Sequence, residues 1–175
     1  MKKTRKGVTR MTGNEPHWEI ERKYHIDRFP DEREGWPQVA HVVMEQAYLA
    51  TNPTVRIRSA IGDGEECYWL CFKGKGRLKR REIEMPITRQ QFDELCDLLT
   101  ALPIHKELRV YQLPDGHRLE CSRVDEGADT EFYYAEVEFD SLEESEAFVP
   151  PPFVGEDATD EPGFSMAAYW RRTRG

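Results

Sequence analysis

The stretch His17-Trp18-Glu19-Ile20-Glu21-Arg22-Lys23-Tyr24-His25-Ile26 alternates with a period of two. Glu19, Glu21 and Lys23 fall on one face, and Trp18, Ile20, Arg22, Tyr24 and Ile26 on the other. That is the pattern of a β-strand, whose successive side chains point to opposite sides. The polar face carries two acids and a base in one row.

The same division recurs along the chain. Residues 54–61 set Val55 and Ile57 against Arg56 and Arg58. Residues 79–85 group Arg80, Glu82 and Glu84, and residues 131–139 group Glu136 with Glu138. Residues 42–50 and 67–73 read as further strands, the latter ending at Lys73. Residues 104–113 and 117–124 read as a hairpin around Pro114-Asp115-Gly116. Pro30, Gly35 and Pro37 break the first pattern, and Asn52-Pro53 and Gly62-Asp63-Gly64 mark turns. Thr88 with Gln91 forms a capping box for a helix whose apolar face is Phe92, Leu95, Leu98, Leu99 and Leu102, stopped by Pro103. Ser141 with Glu144 opens a second short helix, ended by Pro150-Pro151-Pro152, and residues 160–172 suit a third. Hairpin-linked strands with few helices between them predict an α+β fold. The expected form is an eight-stranded antiparallel β-barrel, or open sheet, with helices packed outside.

Length and composition bound the function. A chain of 175 residues suits one domain. No run approaches the ~20 apolar residues that span a bilayer, so no membrane association is expected. The basic start MKKTRKGVTR lacks an apolar segment behind it and is not a secretory signal. Residues 1–16 are unpatterned and read as a disordered basic tail, leaving 17–172 as the single folded domain. Cys67, Cys71, Cys96 and Cys121 show no close pairing and read as reduced thiols of a cytoplasmic protein. The net charge of −8 argues against non-specific nucleic-acid binding. The oligomeric state, monomer or homodimer, is left open.

The charged faces have a plain reading, because an antiparallel sheet often keeps one face in water. Two features oppose it. Some strands offer acids, as Glu136 and Glu138, and others bases, as Arg56 and Arg58, and large residues such as Trp18, Tyr24, Trp69 and Phe139 are expected on the opposite faces, where helices can cover them. A sheet closed that way points its charges into a shared interior. Unpaired buried charge is costly, so such an interior must hold ions, water and a charged ligand. Arginine and lysine match phosphate oxygens, and clustered carboxylates bind hard cations such as Mg²⁺. A polyphosphate–metal complex satisfies both. The spacing of a Walker loop is absent around Lys73-Gly74-Lys75-Gly76.

Glu19-Ile20-Glu21-Arg22-Lys23 fits E-x-E-x-K and resembles the N-terminal motif of the CYTH, or triphosphate tunnel metalloenzyme, superfamily. Further segments follow in order. Gln46-Ala47-Tyr48-Leu49 resembles its Q-G-Y-L, Val55-Arg56-Ile57-Arg58 its R-x-R strand, and Phe72-Lys73-Gly74 its K-G strand end. Arg81-Glu82-Ile83-Glu84 resembles R-x-E-x-E, and Ala135-Glu136-Val137-Glu138-Phe139 resembles A-E-V-E-[LF]. Phe153-Val154-Gly155-Glu156-Asp157-Ala158-Thr159 is similar to its tail motif.

The resemblance implies an eight-stranded tunnel, Mg²⁺ or Mn²⁺, and a small-molecule triphosphate substrate. Lys23, Arg56, Arg58, Lys73 and Arg80 or Arg81 would contact the triphosphate, and period two favours Arg80. Glu19, Glu21, Glu136 and Glu138 would coordinate metal, with Glu82 and Glu84 as further tunnel carboxylates. Carboxylate pairs on opposite walls would hold two ions. Lys23, Arg56 and Arg58 would act in catalysis. Tyr48 stands where the family's tyrosine has been proposed as a proton acceptor, and a packed strand tyrosine is the plain alternative.

The chain departs from the pattern in places. Lys106 and Arg109 replace a K-x-R pair at a spacing that turns them to opposite faces unless a bulge intervenes. Ser122 stands for an aspartate, Glu156 for a base, and Phe164 and Met166 for a closing tyrosine and asparagine. The implied activity is metal-dependent hydrolysis of a triphosphate, inorganic triphosphate first and nucleoside or thiamine triphosphate next. A non-catalytic polyphosphate- or nucleotide-binding module and a class IV adenylyl cyclase-like enzyme are the alternatives. If residues 1–14 are a passive tail, deleting them leaves phosphate release unchanged, and a large loss shows that they take part.

Overall fold

Alternation in the strands and closure of the sheet together decide the architecture. The computed structural model describes residues 18–175, so the expectation of a disordered tail over 1–16 lies outside the described residues. In chain order the elements are β1 (Trp18–Ile26), β2 (Gln38–Thr51), β3 (Thr54–Gly62), β4 (Glu65–Lys73), β5 (Lys79–Pro86), α1 (Arg89–Asp97), β6 (Ile104–Gln112), β7 (Arg118–Val124), β8 (Phe132–Glu138), α2 (Leu142–Ala147) and α3 (Met166–Thr173). The strands form a closed barrel in the order β1-β5-β4-β3-β2-β6-β7-β8, with antiparallel pairing throughout. Closure removes the unpaired edges that an open sheet would present. No described helix is long and apolar enough to cross a membrane.

Local chemistry explains the boundaries. Asp63 (φ 52°) and Gly64 (φ 78°) both adopt left-handed backbone between β3 and β4, as a tight hairpin turn demands. Thr88 accepts from the Gln91 N–H while the Gln91 side chain accepts from the Thr88 N–H, completing the capping box of α1. That helix is shorter than its apolar pattern suggests. It ends at Asp97, and Leu98 and Leu102 are exposed while Phe92, Leu95 and Leu99 pack. The chain must then extend to bring Ile104 beside Gln46. β2 begins at Gln38, earlier than residue 42, because Gln38–Val43 pair with Glu107–Tyr111 of β6.

The apolar outer face is covered unevenly. α2 and the segment after it bury Ile20, Tyr24, Leu119, Ala135 and Val137 beneath Phe148. α1 lays Phe92 over Ile57, with its ring 5.3 Å from that of Tyr68. Trp18, Phe72, Ile83 and Met85 remain substantially exposed on the β1–β5–β4 side. Trp69 corrects an expectation. It pairs with Arg58 and so shares the inner face, where it is buried.

The third helix lies across one end of the barrel rather than on its side. Its Trp170 ring meets Tyr48 at 5.8 Å and its Tyr169 ring meets Phe132 at 5.0 Å. Tyr48 and Phe132 belong to the inner face, being in register with Arg56 and Val124. Tyr169 Oη donates to Asp125 Oδ2 at 2.5 Å, and Arg174 pairs with the same carboxylate at 2.7 Å. Asp125 in turn accepts from the His105 N–H. Tyr169→Phe leaves this carboxylate short of a partner. It is expected to cost about 1–2 kcal/mol, read as a lower thermal midpoint.

Candidate active site

Register determines which side chains share the interior. Residues directly paired across neighbouring strands point to the same side. Glu19 pairs with Arg80, Glu21 with Glu138, and Lys23 with Glu136. Lys73 pairs with Glu82, Cys71 with Glu84, Arg56 with Cys71, and Glu120 with Glu136. All these side chains project into one tunnel. Arg81 pairs with Trp18 instead and lies outside.

The charges interlock. Lys23 Nζ meets Glu136 at 2.7 Å and also bonds Glu21. Arg80 spans Glu19 at 2.7 Å and Glu21 at 2.6 Å. Lys73 Nζ lies 3.0 Å from Glu19 and 2.9 Å from Glu82. Arg58 reaches Glu84 at 3.2 Å, and Arg56 lies 3.6 Å from Glu84. Lys106 Nζ donates to Tyr134 Oη at 2.8 Å. Shared partners of this kind let acids and bases survive burial, where an isolated charge would not.

The electrostatics follow from that pairing. Burial opposes ionisation of Glu82, but Lys73 and then Arg56 outweigh it and bring its pKa to about 2. Glu19 and Glu21 are likewise held below the ordinary carboxylate range, by Lys73 with Arg80 and by Lys23. Burial raises the Cys71 thiol to about 12, and the thiol donates to Glu82 at 2.8 Å. Lys106 is lowered, by burial first and by Arg56 and Arg58 as well.

The predicted metal carboxylates divide. Ligand atoms of Glu19, Glu21 and Glu138 all lie within 4.8 Å of one another. Three carboxylates are a hard oxygen donor set, suited to Mg²⁺ or Mn²⁺. Glu82 and Glu84 group instead with Cys71, and Glu136 falls in neither group, bonding Lys23 as Glu21 also does. The expectation of pairs on opposite walls needs correction. β8, β1 and β5 are consecutive in the barrel, so the acids make one continuous arc.

The predicted bases divide as well. Lys23, Arg56, Arg58, Lys73, Arg80 and Lys106 are inside. Arg109 is not. The β6–β7 register runs without a bulge from Lys106 to Gln112, so residues three apart face opposite ways. Arg109 binds Glu107 at 2.7 Å and stacks 4.1 Å from the Phe29 ring on the outer surface. Tyr48 lies inside, packed against Trp170 and in register with Arg56.

Several tunnel residues carry no role in the sequence reading. Glu120, Cys71 and Tyr134 share the interior, and the fully buried Gln46 stands opposite Arg58. Alternation in Arg118-Leu119-Glu120-Cys121-Ser122 marks Glu120 and Ser122 as one face, a signal that was available. A cavity of about 490 Å³ reaches Lys23 and Glu136 from the α3 end, between His25, Phe132, Phe164 and Met166. The tail-motif acid Asp157 is structural. It pairs with Arg22 at 2.6 Å on the outer face and ties the segment to β1.

A folded-state pKa depressed from 4.5 to about 2 means that ionised Glu82 stabilises the native state above pH 4.5. That contribution is lost as pH falls through the window between these values. The thermal midpoint of metal-free protein is expected to hold from about pH 7 to about pH 5 and to drop below that. A midpoint unchanged at about pH 3 would contradict the Lys73–Glu82–Arg56 arrangement.

Comparison with known proteins agrees with this geometry. No protein-family model matches the chain. The inorganic triphosphatase of Nitrosomonas europaea (strain ATCC 19718 / CIP 103999 / KCTC 2705 / NBRC 14298) is 33% identical over 150 residues, covering 86% of this chain and 95% of the relative. A solved structure of the inorganic triphosphatase NE1496 superposes with a TM-score of 0.57 at 28% identity, over 86% of this chain and 93% of that one. A conserved hypothetical protein from Pyrococcus furiosus shares the fold, with a TM-score of 0.51 at 24% identity, over 74% of this chain and 83% of that one. With the tunnel, its ordered motifs and this degree of identity, the chain belongs to the CYTH, or triphosphate tunnel metalloenzyme, superfamily.

Proposed function

We propose that this protein hydrolyses a triphosphate inside the barrel, with inorganic triphosphate as the leading substrate and Mg²⁺ or Mn²⁺ as cofactor. One observation carries the reading. Glu19 and Glu21, grouped with the solvent-exposed Glu138, share the barrel interior with Lys23, Arg56, Arg58, Lys73, Arg80 and Lys106. The 33% identity to an inorganic triphosphatase supports the same substrate.

Each group then has a task. Glu19, Glu21 and Glu138 would hold the divalent ion, which when bound would supply Lewis-acid polarisation of phosphoryl and water oxygens. Arg56 and Arg58 bind non-bridging oxygens and spread their charge, so that a water nucleophile meets less repulsion. Lys73 and Arg80 bridge the acid arc to the phosphate-binding wall, because each already contacts Glu19. Lys23 holds Glu21 and Glu136 in position while presenting its ammonium to the substrate. Lys106, donating to Tyr134, adds a base from the other side of the tunnel. Tyr48 serves as packing for the wall, since its ring rests on Trp170.

Phosphate release from inorganic triphosphate, ATP and thiamine triphosphate, with and without Mg²⁺ or Mn²⁺, tests the reading. Cyclic AMP formed from ATP would point to a cyclase, and tight binding without turnover to a binding module. Glu21→Gln is expected to abolish metal-dependent hydrolysis while the protein stays folded by circular dichroism. Retained activity in that variant would refute the assignment of Glu21.

A further inference from the structure

Gln46 is fully buried, and neither its Oε1 nor its Nε2 has a hydrogen-bond partner. A buried amide left unpaired costs folding free energy, and an apolar side chain of similar length would avoid that cost. Met44, the next inward residue on the same strand, does so, packing with Leu108 and Val110. Gln46 stands directly opposite Arg58, with Arg56 opposite Tyr48 two residues along. The Nε atoms of Arg56 and Arg58 are also buried without partners, although their terminal nitrogens contact Glu84. One stretch of tunnel wall thus carries three adjacent side chains with unused N–H groups. The acids behave differently: Glu19, Glu21, Glu82, Glu84 and Glu136 are all engaged in ion pairs.

We propose that Gln46 is a substrate-binding residue whose amide N–H donates to the phosphoryl group held by Arg56 and Arg58. This rests on the triphosphate reading above and adds a neutral donor to it. A phosphoryl group has several non-bridging oxygens, more than two guanidinium groups satisfy at good geometry. Another cation beside Arg58 would repel both arginines, whereas an amide adds hydrogen bonds without adding charge. The orphan amide, unfavourable for the fold alone, then has a function in binding.

Gln46→Met preserves length and removes the amide. The expected result is a thermal midpoint equal to or above wild type, with a KM for inorganic triphosphate with Mg²⁺ raised about tenfold or more and a smaller change in kcat. A purely structural glutamine would not produce that combination. A KM within about twofold of wild type overturns the proposal, whatever the midpoint does. Should the variant fail to fold, the Gln46 side-chain amide signals of wild-type protein are followed by NMR on adding diimidotriphosphate with Mg²⁺. Signals that move downfield support donation to phosphate, and signals that stay in place overturn it. Absence of metal-dependent phosphate release by wild-type protein would instead defeat the hydrolytic reading, a result separate from either of these.

Discussion

Barrel closure is the constraint on which the rest of the molecule depends. Once β1 pairs with both β5 and β8, every second side chain of eight strands faces a common interior. A charged residue deep in it has little bulk water to turn to. Its stability comes from opposite charges at hydrogen-bond distance, because the cost of desolvating one ion is offset only by a well-placed partner. The interior is accordingly a network rather than a set of pairs: Arg80 serves Glu19 and Glu21, while Lys73 serves Glu19 and Glu82. Such a network is poised for exchange. On the proposed reading, a metal ion would displace the cations now bound to the carboxylates, and phosphate would displace the carboxylates now bound to the bases.

The outer surface answers a different demand. Many strand residues that turn away from the tunnel are apolar and need cover, which α1 and α2 supply for two sectors of the barrel, while Arg22, Arg81 and Arg109 also lie on that face. α3 does something else, setting Tyr169 and Trp170 against Tyr48 and Phe132 at one end. Its anchor is the Asp125 carboxylate, shared by Tyr169 and Arg174. Phe164 and Met166, which stand where the family pattern has polar residues, line the cavity beneath it. That end of the tunnel is therefore more apolar than the pattern implies, while the acid arc keeps its charge.

Much of the fold was legible because β-alternation is a local property. Glu19, Glu21 and Lys23 announce a shared face without reference to any other strand, and turn residues such as Asp63-Gly64 announce the hairpins. Where reading failed, the missing information was long-range. The apolar run through Leu102 suggested a longer helix, but the need to bring Ile104 to Gln46 ended it at Asp97. The large size of Trp69 points to the outer face, although it shares parity with Lys73. Size is a weak guide where a tunnel wall must also be packed.

By itself, the sequence determined the strand periodicity and the gathering of acids and bases on one face of each strand, since side-chain chemistry and period two are carried by neighbouring residues. Tertiary structure alone decided which charges meet. The regular β6–β7 register put Lys106 inside and Arg109 outside, the order of β8, β1 and β5 merged the carboxylates into one arc, and the β2–β3 pairing set Gln46 opposite Arg58. The physical reason is that register and barrel closure depend on contacts between residues far apart in the chain, which no local pattern encodes.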